Sequence, residues 1–313
     1  MTDVASNTPW NRDNWPIAAA MNPFPNILPD GSSVQDQTVE QWAKTLGQVV
    51  DAGFSELDPT DSWLRIADLR PERLRDFMAL TSSMGLTIPA ISASRRSVID
   101  PERGDEYLSY SHRVIDVAAE IGAKAVSLGL MDPLTQAQKA ALWFWTVDGS
   151  HNPADPAIRD KAVTRMRELG KHAEEAGIEI SIEMYEDTYV GTADEAVQFI
   201  TDVDIPCVGI NADIGNMIRL HRPVEHWLSM IDKLVPYAKY WHVKNYTRIE
   251  DSAKDIILSY PTSLALGLIN YRTAIQKALA SGFKSAFLCE HYGGDGLSVC
   301  AMNRDYLRSI LPR

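Results

Sequence analysis

Residues 156–183 read PAIRDKAVTRMRELGKHAEEAGIEISIE and contain a complete helix-to-strand unit. Pro156 suits the first turn of a helix, where its missing N–H has no intrahelical partner to lose. Apolar residues recur at helical spacing as far as Ala176, and Gly177 supplies the left-handed stop that ends a helix. Residues 178–183 then form a short isoleucine-rich run of the kind a buried strand needs, and the run ends on an ionisable residue, Glu183.

The same unit recurs on both sides. Strands are expected at 16–21, 54–58, 86–92, 125–130, 178–183, 207–213, 240–244 and 286–290. Helices are expected over 38–52, 71–84, 106–121, 156–176, 192–201, 224–234, 271–280 and 303–310. Gly53, Gly85, Gly122, Gly177 and Gly282 each follow a helix and lead into the next strand. Thr192 with Glu195 forms a capping box. Strict alternation implies parallel strands joined by right-handed crossovers, and eight such units favour closure into a (β/α)8 TIM barrel. The expected organisation is one barrel domain over 1–313, with 1–15 as an N-terminal extension.

Composition agrees with a globular chain: 313 residues, 45% hydrophobic and 23% charged. The formal charge of -12 repels phosphate backbones, so no nucleic-acid partner is expected. No apolar run approaches the roughly 20 residues of a membrane helix, and the first residues are polar. A cytoplasmic protein without membrane contact is expected. Three cysteines without a CxxC pair argue against both a disulfide framework and a thiolate zinc site.

Function in such a barrel sits where strands end. Strand five ends in Glu183, strand six in Asp213, strand seven carries His242 and strand eight ends in Glu290. Three carboxylates brought together cannot all stay ionised without a cation. One divalent ion offsets their repulsion, and oxygen donors with one imidazole suit Mn²⁺ first, with Mg²⁺ or Co²⁺ also fitting. The expected metal set is therefore Glu183, Asp213, His242 and Glu290.

On these residues the chain resembles the xylose isomerase-like barrel superfamily over about residues 16–312. That superfamily includes sugar isomerases, ketose 3-epimerases, dehydratases and apurinic endonucleases. The resemblance implies Glu183 and Glu290 as a proton-moving pair beside a sugar carbonyl, and Arg248 as a substrate contact. Asn216 stands where the epimerases usually carry a histidine. The nuclease branch needs further histidines that FSELDPTDSW (54–63) and ISASRR (91–96) lack. The large subunits of C-glycoside deglycosidases, which cleave a C–C bond in 3-oxo-glycosides and take a small β-subunit, are also similar. Such a site needs an aromatic mouth, and the long segment 131–156 offers Trp143, Phe144, Trp145 and His151, the last as a general base.

Lys244, two residues past His242, points to the same side and is expected either to bind a sugar oxygen or to pair with a carboxylate. Trp63 and Trp145 are expected to stack on a sugar, with Asn216 nearby. The expected activity is isomerase or epimerase chemistry through an enediolate, with the C-glycoside lyase as alternative. A non-catalytic sugar-binding barrel and an apurinic endonuclease stand behind both. The expected partner is a small sugar or glycoside, in a homo-oligomer or, for a deglycosidase, with a β-subunit.

Overall fold

Strands this short satisfy their backbone only through their neighbours, so the chain must close a ladder around itself. The computed structural model describes residues 10–251, 253, 254 and 256–313. The barrel strands are β1 (Ile17–Ala20), β2 (Leu57–Asp58), β3 (Ala90–Ser92), β4 (Ala125–Leu128), β5 (Glu179–Glu183), β6 (Val208–Asn211) and β7 (Trp241–Val243). An antiparallel hairpin, β8 (Asn245–Asp251) with β9 (Ile256–Thr262), intervenes before the last barrel strand, β10 (Phe287–Cys289). All barrel pairings are parallel, in two runs ordered β2-β1-β10-β7 and β3-β4-β5-β6. Single parallel bridges, Glu56 with Thr87 and Ile210 with Ala238, join the runs and complete the ring.

The helices follow the expected stops. They are α1 (Val39–Asp51), α2 (Pro71–Ser83), α3 (Gly104–Ile121), α4 (Gln136–Ala140), α5 (Pro156–Ala176), α6 (Ala193–Val203), α7 (Gly215–Ile218), α8 (Trp227–Leu234), α9 (Tyr271–Ala280) and α10 (Gly296–Ile310). In α5, Asp155 caps the first turn, Pro156 opens it, and Gly177 closes it at φ 70°, a value side chains with a Cβ avoid. The last helix starts seven residues before the expected 303, because Asp295 caps it by accepting from the backbone and hydroxyl of Ser298.

Alternation along each strand divides the core in two. Ile17, Trp241, Phe287 and their like face outward into the layer beneath the helices. Inside the ring lies a small cluster of Ala18, Ala20, Ala90, Ala125, Tyr240, Ala286 and Leu288. The alanines leave room for the Tyr240 ring, which fills the barrel below the site.

Three parts of the chain differ from expectation. The hairpin was not foreseen: its seven paired positions make a ladder of their own, although Pro261 lies in it. The segment 131–156 is not a featureless loop, since Thr135 caps α4 with Gln138 in a capping box and a turn of 3-10 helix covers Phe144–Thr146. Of the proposed extension, 1–9 lie outside the described residues. Trp15 is core: it is fully buried, donates to the Ser285 carbonyl at 2.9 Å, and packs against Phe283 and Phe287 in the layer between the strands and the helices. No helix among the described residues is long and apolar enough to cross a membrane.

Candidate metal centre

Four adjacent strands bring the expected residues to one end of the barrel. Glu183 closes β5, Asp213 follows β6, His242 lies within β7 and Glu290 follows β10. All four are buried. One ligand atom from each of Glu183, Asp213 and His242 lies within 4.8 Å of the others. His242 Nδ1 stands 3.7 Å from Glu183 Oε2 and 3.8 Å from Glu290 Oε2, too far for hydrogen bonds and open enough for an ion.

The donor set fits a divalent cation. Asp213 Oδ1 is buried and has no hydrogen-bond partner, a costly condition for a carboxylate oxygen. Burial, with Glu290 and Glu183 close by, pushes Asp213 up to about 8 even though Lys244 opposes the shift. Lys244 Nζ bridges Asp213 Oδ2 and Glu290 Oε2, at 2.6 Å from each. Burial alone would raise Glu290, but Lys244 and His242 outweigh it and hold that carboxyl down at about 2. Burial lowers His242, so its ring is neutral and able to ligate.

A supporting network holds the imidazole. His242 Nε2 lies 3.0 Å from Ser92 Oγ, which donates to Asp58 Oδ2 at 2.7 Å. Asp58 also accepts from the Ser92 N–H and the Tyr240 hydroxyl, and burial still pushes it up to about 7. The Asn211 side chain accepts from the His242 N–H at 2.8 Å. These residues orient Nδ1 toward the carboxylates. Ser92→Ala frees Nε2 and is expected to weaken divalent-metal affinity about 10–100-fold, measurable by calorimetric titration; unchanged affinity would show the serine to be irrelevant to the centre. The sequence reading missed Asp58, Ser92 and Asn211. Asp58 carries the same signal as the ligands, an acid at the end of an apolar run, but on a strand from which no site residue was expected.

The other expected residues divide. Asn216 is buried and donates to Glu183 Oε1 and Asp213 Oδ2, both at 3.1 Å, so it braces two of the candidate ligands instead of facing the cavity. Lys244 takes the ion-pair alternative. Arg248 donates to the Ile218, Leu220 and Arg222 carbonyls, tying the hairpin to the end of α7. Trp63 is buried against Phe77, and Trp145 is buried with its indole N–H on Ser259 Oγ at 3.1 Å. His151 is 65% exposed and pairs with Asp187 at 3.3 Å. None of these six lines the cavity above the centre, so the aromatic mouth expected from 131–156 is not built from Trp145 and His151. Their ring and imidazole types gave no hint of this, because only packing decides which face of a loop is inward.

That cavity encloses about 710 Å³ and has Glu183, His242 and Glu290 on its wall. Tyr185, Tyr292, Met131, Ser94 and Arg95 also line it.

The family model described as xylose isomerase-like TIM barrel matches residues 42–309, and the chain belongs to that family. Its structure is similar to that of a xylose isomerase-like TIM barrel protein from Mycobacterium smegmatis in complex with magnesium. The two are 46% identical with a TM-score of 0.93, over 96% of this chain and 98% of that one. A xylose isomerase domain protein from Planctomyces limnophilus shares the fold at 16% identity and TM-score 0.64, over 95% and 96% of the two chains. D-psicose 3-epimerase from Clostridium cellulolyticum H10, solved with D-tagatose, does so at 13% identity and TM-score 0.64, over 95% and 100%. No curated protein sequence matches significantly.

Proposed function

We propose that the protein is a divalent-metal-dependent enzyme that moves a proton next to the carbonyl of a sugar, as an isomerase or epimerase does. The observation that carries the reading is that Glu183 and Glu290 both stand beside His242 Nδ1, at 3.7 and 3.8 Å, and both line the cavity wall. Glu183, Asp213 and His242, with Glu290 beside them, would hold the ion, and the magnesium complex of the Mycobacterium smegmatis relative supports a divalent cation in this chain. When bound, the ion supplies polarisation of a carbonyl and its neighbouring hydroxyl, which acidifies the C–H between them.

The remaining work falls to the side chains. One glutamate takes the proton from carbon and the other is placed to return one, so that the face from which it returns sets the product. Tyr185 and Tyr292 offer hydroxyls to the substrate from the wall. The C-glycoside lyase reading loses its main support, because His151 and Trp145 lie off the cavity. The single three-residue ligand group found among the described residues supports a mononuclear centre rather than a nuclease's three ions.

Incubation of the Mn²⁺-loaded protein with ketoses in D₂O tests this by NMR. Deuterium is expected at the carbon beside the carbonyl, with Glu183→Gln and Glu290→Gln each slowing exchange by about 10²–10⁴-fold. An absence of exchange and of new product over a panel of ketoses and keto-acids would reject the proposal.

A further inference from the structure

Among the arginines on the cavity wall, the charges are unevenly spent. Arg65 pairs with Asp68 at 3.0 Å, Arg96 with Asp61 at 2.8 Å and Arg103 with Glu106 at 2.5 Å. Arg95 has no carboxylate partner among the described residues. Its one hydrogen bond is a long one, 3.4 Å, to the Tyr185 hydroxyl. The side chain is exposed within the cavity, with the guanidinium 5.6 Å from the Phe144 ring and 5.5 Å from the Tyr185 ring. Tyr185, Glu183 and Arg95 line the same cavity, and the Glu183 carboxylate is near enough to favour the charged guanidinium, so Arg95 stands toward a carboxylate of the centre.

A planar fork of donors, steadied by two rings and with no carboxylate at ion-pair distance among the described residues, is suited to a planar anion. We propose that Arg95 binds a carboxylate on the substrate, so that the cavity takes a keto-sugar acid in preference to a neutral ketose; this rests on the proposed sugar chemistry above. A carboxylate matches the guanidinium with two parallel hydrogen bonds. A phosphate dianion fits less well, since one free cation would face it while Asp61, Glu183 and Glu290 line the same cavity. The substrate would then be held at two ends, with its carbonyl at the centre and its acid at Arg95, which fixes which carbon meets the glutamates.

Calorimetry on the Mn²⁺-loaded full chain tests this with D-fructuronate against D-fructose, D-tagaturonate against D-tagatose, and the two ketose 6-phosphates. At least one acid is expected to bind about 10–100-fold more tightly than its neutral partner. Arg95→Gln should bring that ratio to about one and Arg95→Lys should leave it intermediate, both with the wild-type melting temperature and Mn²⁺ stoichiometry. The inference is overturned if neither acid is preferred, if the preference survives Arg95→Gln, or if a 6-phosphate binds more tightly than both acids. A protein that takes up no Mn²⁺ fails the proposed function instead, whereas one that takes up Mn²⁺ and exchanges ketose protons without preferring an acid fails only this inference.

Discussion

Asp213→Ala is expected to abolish stoichiometric divalent-metal binding, with affinity falling by on the order of 10³-fold or more. Removing a mere supporting residue of a metal site costs about 10–100-fold, and loss of a charged ligand exceeds that. Asp213 is the fully buried member of the group, and its Oδ1 has no partner within the protein. Elemental analysis after dialysis, together with titration of Mn²⁺, measures the effect. The pH dependence gives a second reading. Asp213 is pushed up to about 8 chiefly by burial, so below that pH an incoming ion must displace its proton. Affinity should therefore climb by up to about tenfold per pH unit as pH rises toward 8 and level off above it. The alanine variant should lack this rise. If Asp213 serves only as counter-ion to Lys244, the variant will bind metal as before and lose stability alone, and the metal assignment is then wrong.

Lys244→Met is expected to cost about 3–5 kcal/mol in the metal-free protein, because it strips the cation from the buried Glu290 carboxylate and a hydrogen-bond donor from Asp213 while keeping much of the side-chain length. Lys244 is 1% exposed and bridges Asp213 and Glu290. Glu290 sits at about 2, below the ordinary glutamate value, so it favours folding above that ordinary value and loses the benefit as pH falls toward 2. The difference between wild type and variant should accordingly be largest near neutrality and shrink in acid. Saturating Mn²⁺ should restore part of the loss, since the ion brings positive charge to the same carboxylates. Urea unfolding at neutral and acidic pH, with and without Mn²⁺, reads all of this. A penalty unaltered by Mn²⁺ and by pH would mean that Lys244 matters for packing and not for charge.

Much of this was legible in the chain itself. Glu183, Asp213 and Glu290 each follow an apolar run, and His242 with Lys244 shares a strand face by simple period-two counting. Helix stops such as Gly122 and Gly177 adopt the left-handed conformation that their places imply, at φ 81° and 70°. Such signals are local: they depend on backbone sterics and burial period, which act within a few residues.

What eluded the sequence depends on contacts between distant segments. Nothing local distinguishes Arg95 from Arg96, yet one is left facing the cavity and the other is tied to Asp61. Nothing local says that Trp145 is spent on Ser259, or that Arg248 seals the hairpin instead of meeting a substrate. The pairing of strands, the burial of a charge and the partner it finds are properties of three-dimensional proximity. The amino-acid order by itself determined the alternation of strand and helix and which chemical groups stand at the strand ends. Only the closed barrel decided which of those groups share one desolvated space, because desolvation and Coulomb attraction act across distances that sequence separation does not measure.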